Sequence, residues 1–137
     1  MFNITIAQQK YVDQLLKPYP EHEHLKQPLL DVLSHIHQDW PQILNINFGW
    51  FSLVTTLHKK IKHIDPTYRI IQIKQKFGSL RYYIETQYAY GTIERSIIDS
   101  LISHAEMRSV NMCEQCESFG TMITKDKWMR VACDQHA

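Results

Sequence analysis

The chain has 137 residues, 44% of them hydrophobic and 21% charged, with a formal net charge of +1. That is the size and balance of one globular domain, with room for a small appendage, and it excludes a disordered or low-complexity chain. No apolar run approaches the roughly 18 residues of a membrane span, and the near-neutral total excludes a uniformly cationic nucleic-acid binder.

Thr5-Ile6-Ala7-Gln8 has the form of a capping box, in which a threonine hydroxyl and a glutamine side chain satisfy each other's first-turn amides. It predicts a helix over about 5–17, with Ala7, Tyr11, Leu15 and Leu16 on one face, stopped by Pro18 and Pro20. A second helix, over about 22–39, presents Leu25, Leu29, Leu33, Ile36 and Trp40; Pro28 suits its first turn, or kinks it if the helix begins nearer Glu21, and Pro41 ends it. A third spans about 49–64. Its apolar stripe is Trp50, Leu53, Val54, Leu57, Ile61 and Ile64, and Thr55, His58, Lys59, Lys60, Lys62 and His63 form the polar face.

The texture then changes to Ile, Tyr and Thr with alternation, which predicts an antiparallel hairpin over about 67–87, turning near Phe77-Gly78-Ser79. Ile71, Ile73 and Phe77 are expected to face the core, and Gln72, Lys74 and Lys76 the solvent. Gly91 opens a last helix, over about 91–109, with Ile93, Ile97, Ile98, Leu101, Ile102 and Ala105 inward. Helices, a hairpin and a helix make an α+β domain over 1–111, with the hairpin packed on the helices. Residues 112–137 form a separate tail on it.

All three cysteines fall in that tail. Cys113-Glu114-Gln115-Cys116 and Cys133-Asp134-Gln135-His136 are a C-x-x-C and a C-x-x-H pair with 16 residues between them. A two-residue gap lets one tight turn deliver two ligands, and zinc takes four such ligands as a tetrahedron. Cys113, Cys116, Cys133 and His136 are therefore the expected ligands of a structural Zn2+ in a small ribbon or knuckle. Four protein ligands leave no open position for catalysis. An odd cysteine count and the absence of a basic, apolar signal segment at the N-terminus read as a reducing compartment, the cytoplasm.

Catalytic readings fare worse. His104-Ala105-Glu106 before Cys113-x-x-Cys116 has the letters of a zinc deaminase, but only six residues separate the halves, and His104 and Glu106 diverge on a helix. A thiol nucleophile would need a cysteine that the metal occupies. His22-x-His24 and His35-x-His37 are two apart and share no helical face. No phosphate-binding loop, carboxylate pair or serine triad is legible, so the chain reads as a non-catalytic protein.

The charge is not evenly spread. Residues 59–81 carry seven basic residues and one acidic, net +6, against −2 over 1–58 and −3 over 82–137. Lys74, Lys76 and Arg81, with Tyr82 and Tyr83, form the expected contact surface, either for a protein partner or, as the alternative, for a nucleic acid. The plain reading is solvated lysines guarding edge strands.

Gly49-Trp50, the run Gln72-Ile73-Lys74-Gln75-Lys76-Phe77-Gly78-Ser79-Leu80-Arg81-Tyr82-Tyr83 and the two cysteine pairs together resemble a family of small uncharacterised bacterial proteins found in phages, prophages and mobile loci, some beside toxin genes. The resemblance covers about residues 48–136. It implies a mobile-element setting, in which small single-domain proteins act as inhibitors, immunity proteins or anti-defence factors. The departure is Glu117, where such knuckles carry glycine. The combined expectation is a cytoplasmic, zinc-stabilised inhibitor or immunity protein that blocks a toxin or host defence component.

Overall fold

The computed structural model describes residues 2–36 and 43–137. Among these residues, four α-helices, a three-stranded sheet and a separate two-stranded ribbon make the architecture α+β. Among the described residues no helix is long and apolar enough to cross a membrane.

Helix α1 (Ile6–Leu16) starts on the expected capping box, with Gln8 N–H donating to Thr5 Oγ1 and Thr5 N–H to Gln8 Oε1. Its buried face is Gln8, Val12 and Leu16 rather than the face through Ala7, which is exposed. Gln8 is inward because its amide donates on to the Leu33 carbonyl at 3.0 Å. The expected second helix is divided. Pro20–Leu25 is a 3-10 turn, and α2 proper is Lys26–Ser34, with Pro28 in its first turn and Leu29, Leu30, Val32 and Leu33 buried. Ile36 does not continue the helix. It bridges in parallel to Ile70, whose N–H donates to the His35 carbonyl. Trp40 and Pro41 lie outside the described residues.

After a 3-10 turn at Phe48–Trp50 that buries Trp50, α3 (Phe51–Ile64) buries Leu53, Val54, Leu57 and Ile61 of the stripe that its spacing predicts, with Ile64 half-buried. The hairpin is β2 (Arg69–Lys76) and β3 (Ser79–Glu85), and β1 (Leu44–Asn45) adds to β2 in parallel, giving the order β1-β2-β3. Phe77 and Gly78 both have positive φ, 54° and 78°, the conformation of a two-residue primed turn. Two expectations for the core face are corrected here. A bulge between Ile70 and Gln72 turns Ile71 outward, and Phe77, on the turn itself, is 67% exposed. Ile70, Ile73, Leu80 and Tyr82 are the inward residues.

Helix α4 (Ile93–Ser109), capped by Thr92, packs on α3 and along β3. The N–H groups of Leu80 and Tyr82, which point off the sheet, donate to Ser109 Oγ and Glu106 Oε2. This closes the edge of β3 with side chains instead of another strand. Ile98 and Ala105 are buried as expected and Leu101 and Ile102 partly so, but Ile93 and Ile97 are exposed. The ribbon is β4 (Thr121–Lys125) antiparallel to β5 (Trp128–Ala132), joined by Asp126 and Lys127, both at positive φ.

Candidate metal centre

The first ligand turn follows directly from the end of α4. Met112 N–H donates to the Ser109 carbonyl, Cys113 N–H to Ser118 and Glu117 N–H back to Cys113. Closing that turn puts Glu117 at φ 73°, the left-handed region where glycine is the usual residue. The second turn closes by His136 N–H donating to the Cys133 carbonyl, and Arg130 holds the His136 carbonyl at 2.9 Å. The β4–β5 ribbon brings the two turns face to face.

Cys113, Cys116, Cys133 and His136 offer one ligand atom each, all within 4.8 Å of one another. Cys116 Sγ is 3.6 Å from Cys133 Sγ, and His136 Nδ1 is 3.8 Å from Cys113 Sγ and 3.1 Å from Cys133 Sγ. Around a tetrahedral zinc with standard bond lengths, sulfurs lie about 3.8 Å apart and a sulfur lies about 3.5 Å from a nitrogen. The cluster has the spacing of a metal site, and no disulfide competes for its thiols. Burial opposes ionisation of Cys113, yet backbone amides of Cys133, Gln115 and Cys116 outweigh it and bring the thiol down to about 6.

Two residues that carry no metal fix the tail to the body. Gly49 N–H donates to the Glu114 carbonyl at 2.7 Å, and the buried Trp50 indole donates to the Met112 carbonyl at 2.9 Å. A Cβ on Gly49 would stand 2.0 Å from the Cys113 carbonyl oxygen, so only glycine permits the approach. Glu114 is buried between elements, accepting from Val131 N–H at 2.7 Å and from the Gln75 amide. The chain matches no protein-family model, no curated protein and no solved structure.

The expected contact residues do not all share one surface. Lys74 and Arg81 stand directly opposite each other on the outer sheet face, and Lys76 lies one step along, over the Phe77 ring. Tyr83 joins that face at 42% exposure. Tyr82 does not. It is 3% exposed on the inner face, and its hydroxyl bonds to that of Tyr68 at 2.7 Å. Among the described residues, Lys74, Lys76 and Arg81 have no ion-pair partner.

One polar cluster is not anticipated by the sequence reading. His58, expected on the solvent side of α3, is buried. Its position four after Val54 and three before Ile61 is the signal that places it on the stripe. Its Nε2 donates to Asp31 at 2.6 Å, and its Nδ1 accepts from the Tyr68 hydroxyl at 2.5 Å. Burial pushes His58 down to about 4, so it is neutral near pH 7. Burial alone would raise Asp31, but hydrogen bonds from His58 and Lys62 outweigh it and hold the carboxyl low. Asp31, His35 and His58 also place ligand atoms within 4.8 Å of one another. Here, however, Lys62 already neutralises Asp31 and both nitrogens of His58 are in hydrogen bonds. The cluster therefore satisfies itself without an ion. Its terminal hydroxyls, on Tyr68 and Tyr82, are buried and present no reactive atom to a ligand.

Proposed function

We propose that this protein is a small non-catalytic binding protein, stapled by a structural Zn2+ on Cys113, Cys116, Cys133 and His136, that takes an acidic protein partner on the outer face of its hairpin and blocks it. The observation that carries the partner reading is the cross-strand pair Lys74–Arg81. Like charges directly opposite on a sheet destabilise it, and no acidic side chain among the described residues neutralises this pair. An incoming carboxylate surface would relieve the repulsion. The exposed Ile71 and Tyr83 beside the pair give the face the aliphatic and aromatic character of a protein contact. Burial of Tyr82 removes one of the two adjacent rings that a nucleic acid would stack on. The resemblance to phage- and toxin-locus proteins supplies the expectation of a blocking role in the cytoplasm.

Zinc is supported by the ligand set, since three thiols and an imidazole suit it better than they suit hard cations. Elemental analysis of protein purified without chelator should give about one zinc per chain, absent in Cys133→Ala. The partner reading is tested by measuring retention of poly-L-glutamate and of a single-stranded DNA oligonucleotide at low salt. Retention of polyglutamate that is lost in Lys74→Glu/Arg81→Glu supports it. Retention of the oligonucleotide alone, with a steep salt dependence, would replace it by a nucleic-acid reading.

A further inference from the structure

The ribbon carries a second contact element, and it is made of main chain. On the side of β5 away from β4, three of the four main-chain groups of Val131 and Met129 are engaged. Val131 donates its N–H to Glu114 Oε2 and accepts from Glu114 N–H, and the Met129 carbonyl accepts from the Gln75 amide at 2.7 Å. A strand residue points its N–H and C=O the same way. Val131 and Met129 therefore face away from β4, and their partners in register, Met122 and Thr124, face away from β5. No hydrogen bond to the backbone of Met122 or Thr124 is found among the described residues. Both are exposed, and β4 contains no proline or bulge. Unlike the edge of β3, which Ser109 and Glu106 close, this edge is open.

We infer that the outer edge of β4 accepts an extended acidic segment of the partner protein as an added strand. The two outward residues offer alternating main-chain donors and acceptors, which match another polypeptide strand and not a phosphodiester backbone. Charge selects the occupant. Lys125 and Lys127 stand at the turn end of the edge with Asp126 between them, and Trp128, 78% exposed, stands across from Lys125. A second copy would set one cationic ribbon against another, whereas an acidic strand complements it. The inference rests on the protein-partner reading and adds the mode of engagement.

The test uses the zinc-loaded full chain and a blocked ten-residue peptide of alternating Glu and Val, followed by backbone amide NMR. Millimolar peptide should shift and slow the exchange of the Met122 and Thr124 amides. Thr124→Pro should lose that response, because proline removes an N–H that points outward while leaving the β4–β5 ladder intact. Retained zinc and unchanged Thr121 and Ala132 signals show that the variant is folded. A peptide of alternating Lys and Val, used on the wild type, should bind at least tenfold more weakly and guards against a misfolded variant. Equal binding of the two peptides, an unaltered response in folded Thr124→Pro, or no response in the wild type overturns the inference. Concentration-dependent dimerisation through Met122 and Thr124 overturns it in favour of a second copy. Loss of polyglutamate retention in Lys74→Glu/Arg81→Glu with no strand response would leave the partner reading standing without this mode of engagement.

Discussion

Gly49→Ala is the substitution that most directly tests how the metal tail is held. The new methyl would lie 2.0 Å from the Cys113 carbonyl oxygen and 2.6 Å from the Glu114 carbonyl carbon. Both are backbone atoms, and a carbon–oxygen contact relaxes only at about 3.3 Å, so the tail must retreat by more than an ångström. That distance ruptures the Gly49–Glu114 hydrogen bond and pulls the Met112 carbonyl from the Trp50 indole. Two buried bonds lost at about 1–3 kcal/mol each give a loss of about 2–6 kcal/mol, a large part of the roughly 5–15 kcal/mol that holds an ordinary domain. None of the four ligands moves relative to the others, so the metal stays. Urea denaturation at pH 7 measures the first quantity and elemental analysis the second. A loss below about 1 kcal/mol would refute the docking argument, and simultaneous loss of metal would show that Gly49 shapes the site itself.

Glu117→Gly should stabilise the protein by about 1 kcal/mol, the left-handed penalty less the added freedom of the unfolded chain, as read by the thermal midpoint. His58 titrates near 4 in the fold and near 6.5 when unfolded, so its contribution is full above about pH 6.5 and is lost as pH falls toward 4. The gap corresponds to about 3 kcal/mol, and His58→Gln should flatten that part of the urea stability profile relative to wild type. Asp65, buried between α3 and the end of β3, accepts from Thr67, Thr86 and Gln87, with no ion pair to a described residue. Burial would raise its pKa, but these bonds outweigh it and hold the carboxyl low. Its stabilisation is therefore present above about pH 3.9 and lost below. Asp65→Asn should cost about 3 kcal/mol at pH 7, and no loss in calorimetry would contradict the hydrogen-bond account.

What was legible in the sequence was whatever repeats or spaces itself. The α3 stripe recurs in steps of three and four, and the capping box and the C-x-x-C and C-x-x-H pairs are fixed short intervals. The errors arise where tertiary context overrules the period. β1 has two residues, too few to alternate, and forms only because β2 lies beside it. The bulge at Ile71 reverses the pleat without any proline or glycine to mark it. Ile93 and Ile97 have helical spacing but no neighbour to cover them. Composition puts Tyr82 on the contact surface, whereas its register opposite Ile73 places it inside. Residue type puts His58 on the polar face, although its spacing belongs to the stripe.

The indole of Trp50 gives the molecule an internal optical gauge. It is fully buried and its N–H is tied to the first residue of the ligand turn, while Trp128 is already largely in water. Trp40 lies outside the described residues; of the two described tryptophans, any event that lifts the tail, whether chelation or strain at Gly49, wets Trp50 and leaves Trp128 nearly unchanged. A red shift in emission would then follow tail release in real time, without a label.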